Sequence, residues 1–173
     1  MEAAIPIPAG EPNELERLFE AHYGLVFHTA YRITGNASDA EDVLQTVFLR
    51  LTTREPSAPP LENCQSYLRR AAVNAALDVV RARHAGDSEL DESLPGRDQP
   101  EADRRELQDC LRRSLARLGP KEAEVFALRF LEGHSNPEIA RMLGVSQVWV
   151  AVTVHRTRRR LQKEIRSYVG GRL

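Results

Sequence analysis

Residues 135–161, SNPEIARMLGVSQVWVAVTVHRTRRRL, constrain this chain more tightly than any other stretch. Asn136-Pro137 predicts a helix start, with Asn as the cap and Pro at the first helical position. Ile139, Ala140 and Leu143 follow at helical spacing. Gly144 predicts the stop, because glycine enters the left-handed conformation at little cost. Ser146 predicts the cap of a second helix. At about 100° per residue, Val150, Val154, Thr157 and Leu161 cluster on one side, the expected core side. Val148, Val152, His155, Arg156 and Arg159 fall opposite, towards solvent or a ligand. A short helix, a Gly turn and a second helix ending in Arg158-Arg159-Arg160 is the pattern of a helix-turn-helix. An arginine cluster of this kind fits DNA phosphates. The plainer alternative is an antiparallel helical pair with a solvated basic end.

Charge separates along the chain in a way that supports the DNA reading. The net charge is −1 over 173 residues. Residues 104–173, which hold the helix-turn-helix, carry 15 basic and 7 acidic groups. Residues 85–103 carry 7 acidic groups against the single Arg97, and residues 1–84 carry 11 against 8 arginines. A basic end suits a polyanion, and the acidic middle, rich in Gly, Pro, Ser and Asp, reads as a flexible linker.

Several function classes fall away on composition. No apolar run approaches the roughly 20 residues needed to cross a bilayer, and no charged-then-apolar signal opens the chain, so no membrane insertion and a cytoplasmic location are expected. Cys64 and Cys110 lack ligand spacing and are expected to stay reduced. The five histidines are scattered, so no metal and no cofactor are expected.

In chain order the pattern predicts an all-α protein of two small helical domains. Residues 1–12, with three prolines, read as a disordered lead-in. Asn13 and Glu16 predict the start of a long helix with Leu15, Leu18, Phe19, Leu25, Val26, Tyr31 and Ile33 at helical intervals, ended by Gly35. Ser38 and Glu41 predict a capping box for a second helix. There Val43, Leu44, Val47, Phe48 and Leu51 form the buried stripe, and Asp39, Asp42, Gln45, Thr46 and Leu49 the outer face. EPSAPP at 55–60 breaks the chain before a third helix from about Cys64 to His84. After the linker come a helix over Asp103–Leu118, another opened by Pro120 and closed by Gly133, and then the helix-turn-helix. The first domain is therefore 13–84 and the second 104–173, with 85–103 as the linker.

The acidic residues at the start of the second helix have an ordinary role in favouring its N-terminus. The order of motifs says more. LFEAHYGLVFHTAYRITGNASDAEDVLQTVFLR, SYLRRAAVNAALDVVRAR and LGPKEAEVFALRFLEGHSNPEIARMLGVSQ together resemble an extracytoplasmic-function (ECF) sigma factor of bacterial RNA polymerase, over roughly residues 13–165. The resemblance implies that the DAEDVLQTVFLR helix docks on the clamp helices of the largest subunit of core polymerase, through Asp39, Glu41, Asp42, Gln45 and Leu49. It implies that Asn74, Asp78, Arg81 and Arg83 meet the −10 element of promoter DNA. It implies that Gln147, Val148, Val152, His155, Arg156, Arg158 and Arg159 meet the −35 element, and that the linker threads the polymerase channel. A partner anti-sigma protein and the absence of enzymatic activity are implied as well. The chain departs from the family pattern at Tyr67, where Trp is usual. It departs again at Val148-Trp149-Val150-Ala151-Val152-Thr153, where polar DNA readers are common. Trp149 is expected either to pack on the preceding helix or to meet DNA. The rival class is a stand-alone helix-turn-helix regulator, which would have no need of an acid-and-Gln face over residues 38–51.

Overall fold

A computed structural model describes residues 12–53, 63–86 and 99–170. They form seven α-helices in chain order: α1 Pro12–Thr34, α2 Ala37–Thr52, α3 Cys64–Gly86, α4 Gln99–Ala116, α5 Pro120–Phe126, α6 Asn136–Leu143 and α7 Gln147–Gly170. No strand occurs among the described residues, as the periodicity requires. The chain divides into two compact units, Met1–Ala76 and Leu77–Leu173, the boundary falling inside α3. The expected lead-in, the EPSAPP break and most of the expected linker lie outside the described residues.

In the first unit, α1 packs against α2 across a turn of two residues. Gly35 makes that turn at φ +68°, a conformation that side chains with a Cβ avoid. Asn36 then caps α2, its Oδ1 accepting the Asp39 N–H at 3.2 Å. The helix therefore starts two residues before the expected Ser38–Glu41 box, because an Asn directly after the turn is already placed to accept that bond. Leu18, Val26, Ala30 and Ile33 of α1 are buried, as are Val43, Leu44, Val47, Phe48 and Leu51 of α2. Phe19 and Tyr31, expected in the core stripe of α1, are instead 40% and 46% exposed. They stand in a row with Tyr23 and Phe27, with ring centroids 5.5, 5.9 and 6.2 Å apart along the helix. Residues four apart share one helix face, and here that face is edged with aromatics rather than covered.

In the second unit, α7 packs against α4, α5 and α6. Leu115, Leu118, Val125, Leu128, Ile139, Val150 and Leu161 are the buried centre of the unit. Leu107 of α4, expected on the core side, is 45% exposed. α5 does not stop at Phe126 but runs on as a π-helical turn over Ala127–Leu131, where the Glu132 N–H reaches back to the Ala127 carbonyl at 3.0 Å. Gly133, at φ +77°, closes this turn, and Arg129 donates to the His134 carbonyl at 3.2 Å. The Gly133 turn and the Arg129 hydrogen bond lead the chain into α6.

Candidate functional site

α2 shows how the first face is built. At four-residue spacing, Asp39 lies above Val43 and Val47, on the stripe that faces α1. Asp39 is accordingly buried, at 7% exposure, which corrects its expected place on the outer face. It stands in the first turn, where a carboxylate favours the helix N-terminus. Glu41, Asp42, Gln45 and Leu49 are exposed on the other side, with Thr46 half-buried. Leu49 is 63% exposed, a large aliphatic side chain left to solvent. Gln45 and Leu49 form one wall of an open groove of about 630 Å³, completed by Leu15, Glu16 and Phe19 of α1 and by Phe48 and Thr52. Phe19 meets Phe48 edge-on at 4.9 Å and makes the floor apolar. Helical spacing gives Gln45 and Leu49 their outward position, but the groove depends on Phe19, whose hydrophobicity argues for the core.

On α3, Asn74 is half-buried while Asp78 and Arg83 are exposed. Asp78 is paired with Arg81 at 3.1 Å, an exposed i,i+3 contact that DNA could displace at little cost. Helical spacing places Asn74, Asp78 and Arg81 on one side of α3 and Arg83 on the opposite side.

The helix-turn-helix follows its expected outline with two corrections. Ser135, not Asn136, caps α6: its hydroxyl accepts the Glu138 N–H at 3.5 Å, and its own N–H donates to Glu138 Oε2 at 2.7 Å. The Ser135 hydroxyl also donates to Glu138 Oε2 at 2.6 Å. These bonds, with His134 and Arg141 nearby, hold the Glu138 carboxyl below its ordinary range. Gly144 ends α6 at φ +64°, and Ser146 accepts the Trp149 N–H at 3.1 Å to begin α7. The second correction concerns the inner stripe of α7. Val150, Thr153, Thr157 and Leu161 are buried, whereas Val154 is only half-buried. A core stripe advancing by three and then four residues takes in Thr153, which the expected set omitted.

Every α7 residue expected to meet the −35 element is exposed: Gln147, Val148, Val152, His155, Arg156, Arg158 and Arg159. Gln147 and Arg158 stand on one flank of the outer side. Trp149 is 39% exposed, so it is not a core residue. The arginine run divides by role. Arg160 folds back on its own unit, donating to the Arg117 carbonyl at 3.1 Å and lying 3.5 Å from Glu164 and 3.8 Å from Glu122. Arg156, Arg158 and Arg159 have no carboxylate partner among the described residues and remain free to meet an anion. Among the described residues no three His, Cys, Asp or Glu side chains converge in a way that could hold a metal ion. No described helix is long and apolar enough to cross a membrane.

Comparison with known proteins places the chain in a family. Residues 18–85 match sigma-70 region 2, and residues 108–161 match sigma-70 region 4. The chain is 32% identical to the RNA polymerase sigma-E factor of Streptomyces avermitilis over 162 residues, covering 91% of this chain and 88% of that one. It is 24% identical to the ECF RNA polymerase sigma factor SigW of Bacillus subtilis, covering 93% and 94% of the two chains. Among solved structures, CnrH in complex with the cytosolic domain of CnrY is similar at a TM-score of 0.53 and 25% identity, over 91% of each chain. A helical protein with these two regions is a transcription initiation factor. The chain belongs to the sigma-70 family, in its ECF subfamily, and directs transcription initiation by RNA polymerase.

Proposed function

We propose that this sigma factor docks on the clamp helices of the largest polymerase subunit through Glu41, Asp42, Gln45 and Leu49. Asp39 supports the start of α2 from inside. Asn74, Asp78, Arg81 and Arg83 meet the −10 element, and the outer side of α7, from Gln147 to Arg159, meets the −35 element. The working domains are residues 13–84 and 104–173, joined by the acidic stretch 85–103; the family matches over 18–85 and 108–161 support this division. The protein carries out no reaction of its own and acts in the cytoplasm. An anti-sigma protein holds it inactive, a reading supported by the protein complex in which the similar CnrH is found.

The observation that carries the docking assignment is Leu49. A 63% exposed leucine beside Gln45, at the rim of an apolar groove, is an unfinished surface of the helix pair. Gel filtration of the full chain with bacterial core polymerase tests it. The chain is expected to travel with the polymerase. Separate elution, with duplex DNA still bound by the free chain, would make it a stand-alone regulator.

A further inference from the structure

The first turns of α7 carry an apolar surface that phosphate binding does not explain. Val148 is 73% exposed and Val152 43%, one turn apart on the same side of the helix. His155, Arg156 and Arg159 continue that side, all exposed. The one carboxylate in α7, Glu164, is turned to Arg160 and away from this role. The apolar pair thus adjoins the positive charge of Arg156 and Arg159, and its complement is a polyanion that displays small apolar groups. The major groove of duplex DNA is such a surface, with phosphates along its walls and the thymine methyl standing out among the base edges. A helix-turn-helix presents the N-terminal residues of its second helix to that groove. Two valines there have no group to donate or accept a hydrogen bond, but a methyl needs none.

We propose that Val148 and Val152 are specificity-determining residues that read thymine methyl groups in the upstream promoter element. The arginines further along α7 hold phosphates and fix the register. The inference rests on the assignment of α7 to the −35 element and adds what that helix reads.

The test uses the full chain bound to bacterial core polymerase. Duplexes randomised over the upstream element are selected for binding, and the preferred sequence is remade with deoxyuridine in place of each thymidine in turn. Deoxyuridine removes the methyl and keeps every hydrogen-bonding group. Loss of one buried methyl is expected to weaken binding about fourfold at one or two positions. In Val148→Ala or Val152→Ala that penalty is expected to shrink to about twofold or less at the position the valine covers. Equal binding of all uracil-substituted duplexes would overturn the proposal and leave the valines to a protein partner. So would a selected element without A·T pairs, or a uracil penalty undiminished in both variants. If the chain does not bind polymerase, the docking assignment fails separately, and the same titration with the full chain alone decides the methyl reading.

Discussion

Leu49→Glu is expected to weaken binding to core polymerase about 30-fold or more, while unfolding stability changes by only about 0.5 kcal/mol. The asymmetry follows from where Leu49 stands. Its side chain is mostly in solvent, so the fold loses little when it is replaced. At a docking surface it would fill a pocket of the partner, and a carboxylate there would be desolvated without a counter-charge. Gln45→Ala in the same groove wall is expected to act in the same direction with a smaller effect. Val47→Ala is the contrasting change, since Val47 is 1% exposed and supports α2 from within. It should lower thermal stability first. Titration of labelled chain with core polymerase, alongside thermal melting, separates the two outcomes. Native binding by Leu49→Glu would mean that the groove serves something other than polymerase.

The second large effect lies in the arginines. Replacing Arg156, Arg158 and Arg159 together by Ala is expected to reduce the slope of log affinity against log salt by about 2.7, at about 0.9 per phosphate contact. The loss should be nearly the same for every duplex sequence, because phosphate contacts carry no sequence information. Arg160→Ala should leave that slope unchanged, since Arg160 is held by the Arg117 carbonyl, Glu164 and Glu122 within its own unit. Duplex binding measured at several salt concentrations reads both. A run of three adjacent arginines looks uniform in sequence, but Arg158 and Arg160 point about 160° apart around the helix, and of the three it is Arg160 that is held within its own unit.

The helix outline is legible in the sequence, whereas the separate roles of neighbouring side chains are not. Helix stops at Gly35, Gly133 and Gly144 were readable because each glycine takes a positive φ that other residues avoid. Helix starts were less secure. Both Asn36 and Ser38 are good caps, and so are Ser135 and Asn136; the choice depends on which side chain the preceding turn aims at the free N–H groups. The outer wall of α2 followed from the buried spacing of Val43 and Val47, yet the same spacing puts Asp39 inside. The polar character of Asp39 masked this. The groove beside Leu49 could not be read from α2 alone, because its floor is Phe19, a residue whose hydrophobicity argues for the core. The π-helical turn over Ala127–Leu131 depends on a single extra residue between hydrogen-bonded partners, and no residue type in ALRFL announces it. Thr153 and Thr157 fill the core side of α7 although they are polar, since their methyl groups can pack on neighbours.

If this chain supplies core polymerase with promoter choice through two separate faces, transcription from a reconstituted system will depend on both. Fragmented genomic DNA of the source organism is incubated with bacterial core polymerase and nucleotides, with and without the full chain, and RNA 5′ ends are mapped. Discrete start sites are expected only when the chain is present, sharing one upstream and one start-proximal element. They should vanish with Leu49→Glu, and the triple arginine change should weaken them by acting on the upstream element. Start sites unchanged by the chain, or unchanged by both variants, would mean that the chain does not select promoters through these faces.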